Sequence, residues 1–235
     1  IVDSVLNGKT SVIHNYAPTW RWDYSPEITR YNYDPAKARQ LLRDAGYTPG
    51  SDGIMQKSGQ KLSLRYQTTS GNQARLLSSQ IEQQDLKEVG VEIKLEYLPA
   101  GEFFAAGDNP GPLTARTFEL GRYAWVAGDD PVGTKNLYHS ESIPSKANSF
   151  VGQNYPGIKN AKLDELLHQA ENSIDQAQRT IWYAEAQKLW TDLLPVVPLF
   201  ARANVTAISR TLQNFRPTPT NTPPTWNAHD WWKAD

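Results

Sequence analysis

Leu62-Ser63-Leu64-Arg65-Tyr66-Gln67-Thr68-Thr69-Ser70-Gly71-Asn72, continued by Leu86-Lys87-Glu88-Val89-Gly90-Val91-Glu92-Ile93-Lys94-Leu95-Glu96-Tyr97, decides the fold. Leu62, Leu64 and Tyr66 alternate with polar residues, the period of a half-buried strand. Ser70-Gly71-Asn72 opens a helix that runs through Val89 and is stopped by Gly90. Its apolar positions, Leu76, Leu77, Ile81, Leu86 and Val89, spread more widely than one clean stripe. Val91, Ile93, Leu95 and Tyr97 then alternate strictly with Glu92, Lys94 and Glu96. Strand, helix, strand of this length implies a parallel pair with a right-handed crossover, hence an α/β fold with helices flanking a mixed sheet. Asn72 and Gln73 sit at a helix N-terminus beside a strand's carboxyl end, where an anion or carboxylate can bind, though capping alone also explains them.

Upstream, Asp34 reads as an N-cap and Pro35 as N1 of a helix with Ala38, Leu41, Leu42 and Ala45 on one face and Gly46 as its stop. A hairpin through Ser58-Gly59 is expected over 54–61. Residues 9–33 show no period. Trp20, Trp22, Tyr24, Tyr31 and Tyr33 there form an extended aromatic segment, read either as packing for an irregular loop or as a cover over a site. Ile1 to Gly8 reads as the last turns of a helix, which fits a piece of a longer protein.

Downstream, a short helix over 99–106 precedes a third strand over 117–125, in which Phe118, Leu120 and Arg122 alternate with Glu119, Gly121 and Tyr123. Trp125 follows, then a turn marked by Gly128 and Pro131 with two adjacent carboxylates, Asp129 and Asp130. Loops at the carboxyl ends of strands are where α/β folds hold ligands. An aromatic face beside acids suits a solute that is apolar on one side and cationic or hydroxylated on the other. The same residues read equally as a core indole followed by a surface turn. Two helices follow, capped by Asn160 and Asp175. The second carries Trp182, Ala186, Leu189, Trp190 and Leu193 as its stripe. Val196 to Ile208 suits a strand. From Leu212 the chain is rich in Pro and Thr (Pro217, Pro219, Pro223, Pro224) and ends in Trp226, Trp231 and Trp232, a tail that cannot form a core alone.

The composition narrows the function classes. The 235 residues are 39% hydrophobic and 21% charged, which fits a folded chain. Lys and Arg total 24 against 25 Asp and Glu, so no general charge drives the chain to nucleic acid or to a membrane. No apolar run approaches the roughly 20 residues that span a bilayer. With no Cys, disulfides, thiolate metal sites and a Cys nucleophile are excluded. His14, His139, His168 and His229 are far apart and form no metal-binding spacing, so neither metal nor cofactor is expected. No Gly-x-Ser-x-Gly elbow, phosphate loop or dinucleotide fingerprint occurs. The best enzymatic alternative is a glycosidase using paired carboxylates and sugar-stacking Trp, for which a second acid would have to come from elsewhere.

Taken in order, Tyr33-Asp34-Pro35-Ala36-Lys37-Ala38-Arg39 through Ala45-Gly46-Tyr47, the Thr68 to Asn72 turn, Leu86 to Ile93, Trp125 to Pro131, Asn154-Tyr155, Asn160 to Asp164, and Tyr183-Ala184-Glu185-Ala186-Gln187 through Leu194-Pro195-Val196-Val197-Pro198 span nearly the whole chain. Together they resemble the extracytoplasmic solute-binding proteins of dipeptide/oligopeptide-type ABC importers, family 5. The resemblance implies one lobe of a bilobed, type II periplasmic-binding-protein-like fold. Residues 1–208 would be the second lobe and residues 209–235 a tail returning to a first lobe that lies outside this chain. It implies a non-catalytic, monomeric protein that captures a peptide or other small-molecule solute and delivers it to an ABC permease. The location would be extracytoplasmic, in the periplasm or on the outer face of the cell membrane. An oligosaccharide ligand is the alternative within the family. The implied ligand-binding residues are Tyr123, Trp125, Asp129, Asp130, Asn154 and Tyr155. In peptide-binding members an Asp follows the Trp as Trp-x-x-Asp. Here that position is Gly128, with Asp129 one residue later. No Ni-type ligand set is visible.

Overall fold

Parallel pairing on both sides of one central strand sets the architecture. The structure is a computed structural model and describes residues 1–202, 205–218, 220 and 222–234. In chain order the elements are α1 (Val2–Leu6), α2 (Pro35–Asp44), β1 (Thr48–Pro49), β2 (Met55–Lys57), β3 (Gln60–Lys61), β4 (Ser63–Thr69), α3 (Gln73–Glu88) and β5 (Glu92–Leu98). There follow α4 (Ala100–Phe103), β6 (Leu120–Arg122), α5 (Thr134–Tyr138), α6 (Ala161–Glu171), α7 (Gln176–Leu193), β7 (Leu212–Gln213) and β8 (Trp232–Lys233).

β4 pairs in parallel with β5 from Ser63 against Glu92 to Thr69 against Leu98, and with β6 from Tyr66 against Leu120 to Thr68 against Arg122. The strands expected at 62–67, 91–97 and 117–125 therefore share one sheet in the order β5-β4-β6. The third is shorter than expected. Phe118 and Tyr123, at its ends, leave the ladder to pack with Phe103, Leu113 and Tyr155. Antiparallel pairing lies outside this sheet, in the β7-β8 pair and in the ribbon β1-β2-β3. Its β2–β3 hairpin turns on Ser58 (φ 52°) and Gly59 (φ 77°), both in the left-handed region that a two-residue hairpin loop requires.

The helices start where their caps lie. Asp34 accepts from Lys37 N at 2.8 Å, Asn72 from Arg75 N at 2.9 Å, Asn160 from Leu163 N at 3.0 Å and Asp175 from Ala177 N at 2.9 Å. α2 lays Ala38 and Leu42 on a core of Tyr66, Val89, Val91 and Ile93. α3 buries Ser78 and Ser79 instead of a leucine stripe, with Ser79 Oγ 2.8 Å from the Tyr97 hydroxyl. That polar face explains its diffuse apolar pattern.

The buried face of α7 is Tyr183, Ala186, Gln187, Trp190 and Thr191, rotated from the stripe expected through Trp182, Leu189 and Leu193. The cause is a polar anchor. The fully buried Gln187 accepts from Asn15 Nδ2 (2.6 Å) and Ser25 N (2.9 Å), and donates to Asp23 O (2.7 Å). Part of the aromatic segment 9–33 is thereby held as packing: Tyr16 meets Trp190 edge-on at 5.2 Å and Trp22 meets Tyr183 at 6.0 Å, while Trp20, Tyr31 and Tyr33 stay exposed. Arg21 and Asp23 form a buried two-point ion pair beside it, at 2.5 and 2.9 Å.

Among the described residues the strand expected over 196–208 is not formed. Phe200 makes a single antiparallel bridge with Val12, flanked by Ile13 N to Leu199 O and Ala201 N to Ser11 O. Residues 203 and 204 of that stretch, and Pro219 of the tail, lie outside the described residues. Within the run Val196 packs on the core of α6 and α7 and Phe200 lies under Arg122, whereas Val197, Val205 and Ile208 are exposed. The tail folds on itself: β7 pairs with β8 and Phe215 packs on Trp231, while Trp226 and Trp232 stay exposed. No helix among the described residues is long and apolar enough to cross a membrane.

Candidate functional site

β4, β5 and β6 are parallel, so their loops leave the sheet on the same edge. The loop after β4 turns at Gly71 (φ +80°) into the N-terminus of α3. Thr69, Ser70, Gly71, Asn72, Gln73, Leu76 and Tyr97 line a shallow depression of about 410 Å³ there.

The loop after β6 and the 154–157 turn build an aromatic wall. Trp125 stacks on Tyr155 with ring centroids 5.9 Å apart and planes 12° apart. Tyr123 meets both rings edge-on, at 5.6 and 5.7 Å. Phe103 and Leu113 pack beneath Tyr155, and burial pushes the Tyr123 hydroxyl up to about 12, so it stays a neutral phenol. Trp125 remains 39% exposed, neither a core residue nor a free one. Tyr155 is fixed by its turn. Arg116 Nε donates to Tyr155 O at 3.1 Å, and Gly157 (φ +71°) leaves room for that guanidinium, which a Cβ would meet at 1.8 Å.

The two acids have separate surroundings. Asp130 forms a two-point pair with Arg179, Nη1 to Oδ2 at 3.0 Å and Nη2 to Oδ1 at 2.6 Å, and caps the Pro131–Gly133 turn through Val132 N at 3.0 Å. Burial acts to raise its carboxyl, but Arg179 and the Val132 N–H outweigh it and hold the group below its ordinary value. Asp129 is exposed and, among the described residues, accepts one hydrogen bond, from Thr222 Oγ1 in the tail at 3.2 Å. Asn154 does not face the edge. It is fully buried, its Nδ2 donating to His139 O and Ile158 O and its Oδ1 accepting from Gly157 N and Ile158 N. The expectation that it touches ligand is corrected accordingly: every polar atom of its amide is used to shape the turn that presents Tyr155.

A cationic group on the same edge was missed in the sequence. Arg122, the last residue of β6, is buried against Glu82 (3.1 Å), and its Nη1 donates to Arg75 O at 3.4 Å. Tyr66 Oη donates to the other Glu82 oxygen at 2.5 Å. Burial raises the Glu82 carboxyl, while Arg122 and Tyr66 act to lower it. Arg75 donates to Thr69 Oγ1, and its guanidinium is destabilised by burial and by the like charges of Arg122 and Arg202. Among the described residues neither Arg75 nor Arg202 has an acidic partner, so this corner carries surplus positive charge. Two signals were legible: Arg122 continues the inward parity of Leu120, and Arg75 places a cation in a helix's first turn against the macrodipole.

Parallel strands whose loops gather an aromatic wall, an exposed acid and surplus cations on one edge define an α/β lobe of the periplasmic-binding-protein type. A profile of bacterial extracellular solute-binding proteins, family 5, middle region, matches residues 1–145, and the chain belongs to that family. It is 27% identical to the oligopeptide-binding protein AppA of Bacillus subtilis over 237 aligned residues, covering 100% of this chain and 41% of that protein. It is 26% identical to the di/tripeptide-binding protein 1 of Pseudomonas aeruginosa, covering 93% of this chain and 37% of that protein. The chain thus spans about two fifths of the length of these relatives. Among solved structures it is similar to an oligopeptide-binding protein from Thermus thermophilus complexed with a pentapeptide, with TM-score 0.80, 29% identity, and coverage of 91% of this chain and 37% of that one.

Proposed function

We propose that this chain is the second lobe of a two-lobed binding protein that captures an oligopeptide or similar solute and delivers it to an ABC permease. The observation that carries the reading is the partly exposed indole of Trp125, stacked on Tyr155 beside Asp129 at the strand ends. Tyr155, Tyr123 and the small core beneath them hold the ring rigidly, so it presents a preformed apolar surface. Such a surface binds by area and tolerates varied side chains.

The charges of the same edge suit a zwitterion. Asp129 offers an acceptor for an ammonium, and the Arg75 corner offers donors for a carboxylate. The relatives' names, which are those of oligopeptide- and di/tripeptide-binding proteins, support the peptide class. In this reading residues 1–208 form the lobe, and residues 209–235 return toward the first lobe. The exposed Val205, Ile208, Trp226 and Trp232 are the surface that lobe would cover. The role is capture without catalysis, carried out outside the cytoplasm by a monomer, in the periplasm or on the outer face of the cell membrane.

The test is native mass spectrometry of the full-length protein purified from its host, followed by calorimetry with tri- to pentapeptides and with oligosaccharides. A retained peptide, or peptide binding with no oligosaccharide binding, is expected. Oligosaccharide binding alone would overturn the peptide reading while keeping the aromatic wall.

A further inference from the structure

Arg179 joins several separate parts of the chain through one side chain. Its Nε donates to Ala170 O at 2.9 Å near the end of α6, and its two terminal nitrogens grip Asp130. The guanidinium lies over the Trp22 ring at 5.0 Å and the Tyr183 ring at 5.8 Å. One residue on the first turn of α7 thus ties the 126–131 loop to α6, to α7 and to the aromatic segment 9–33. Asp130 is half exposed, yet both of its oxygens are taken, and Oδ1 also holds Val132 N. Asp129, its chain neighbour, has no cationic partner among the described residues.

We infer that Arg179 is a positioning residue for ligand capture: it neutralises Asp130 and fixes the loop, so that Asp129 is the one carboxylate of the pair offered to a ligand's cationic group. Adjacent acids on one loop repel each other and would otherwise compete for the same cation. A planar guanidinium that matches a carboxylate at two points removes one of them and sets the direction of the other. Lysine cannot make that fork, so the role belongs to Arg and not to positive charge alone. This inference rests on the proposal that the edge binds a peptide-like solute.

The experiment has two arms, so that failure of the inference and failure of that proposal are distinguishable. In the first arm, amide hydrogen exchange is followed on the full-length protein without added ligand. R179Q and D130N should each speed exchange over residues 126–134 by about tenfold, with R179K intermediate and D129N unchanged, while β4 and α3 keep their protection. If R179Q and R179K both leave the loop within twofold of wild type, the clamp does not exist.

The second arm uses the full-length protein with trialanine and its N-acetylated form. D129N should lose about tenfold in affinity for trialanine and nothing for the acetylated peptide. R179Q should show the same selective loss, and D129N/R179Q should be no worse than D129N alone, because both changes remove one contact. Wild-type affinity in R179Q overturns the positioning role, and a selective loss in D130N that persists in R179Q/D130N as an additive effect does the same. If the wild-type protein binds neither peptide, the peptide proposal fails and the exchange arm alone decides the clamp.

Discussion

Trp125→Ala in the full-length protein separates a ligand wall from a packing residue. The indole is 39% exposed, and a large aromatic side chain buries up to about 250 Å² when fully covered, so on the order of 100 Å² remains for a ligand to cover. At about 25 cal/mol per Å² that area is worth roughly 2.5 kcal/mol if wholly covered and about 1 kcal/mol if less than half is. The expected loss of affinity is therefore about 5- to 70-fold. The stability cost is smaller than for a core Trp. The substitution forfeits the stack on Tyr155 and the edge contact with Tyr123, each worth about 0.5–1.5 kcal/mol. A fully buried Trp would cost about 3–5 kcal/mol. Trp125→Phe keeps a ring over Tyr155 and should retain much of both. Calorimetric affinity and the ligand-free unfolding midpoint, measured on the same variants, decide the matter. A fall in midpoint typical of a core Trp, with affinity unchanged, would mean that packing has been mistaken for a site.

Other perturbations test the frame around the wall. Trp190→Ala, at the centre of the core shared by α6, α7 and Tyr16, should cost about 3–5 kcal/mol in urea unfolding, and a loss below about 1 kcal/mol would contradict its place in that core. Gln187→Ala should cost at least about 2 kcal/mol, because it strands the buried Asn15 amide, Ser25 N–H and Asp23 carbonyl. A loss no larger than that of an exposed substitution would show that the network is not what turns α7. Asp130, held below its ordinary 3.8, contributes stability present above pH 3.8 and lost as pH falls through its folded value. D130N should flatten that acid limb of the midpoint-versus-pH curve. Glu82, raised above its ordinary 4.5, has the opposite sign: its contribution is full below pH 4.5 and declines as pH rises through its folded value. E82Q should remove that decline, and an unchanged curve would mean that the carboxyl is not buried as the structure has it.

Local chemistry determined much of this protein by itself. The βαβ unit followed from two alternating strands and a punctuated helix, and Asp34, Asn72, Asn160 and Asp175 marked helix starts because a cap needs only the next three residues. Trp125 at a strand's carboxyl end was legible for the same reason. Only the tertiary structure decided which of two adjacent acids is engaged, since Arg179 reaches Asp130 from 49 residues away. It alone turned α7 onto Gln187, whose partner Asn15 lies 172 residues off, against the apolar stripe that periodicity favoured. It also withdrew Asn154 into its own turn and gathered Arg75, Arg122 and Glu82 from two elements into one charged corner. Periodicity reports which face of an element is apolar. It cannot report which distant polar group will satisfy a buried amide or carboxylate, and in this lobe those long-range pairings fix which side chains are left facing the strand ends.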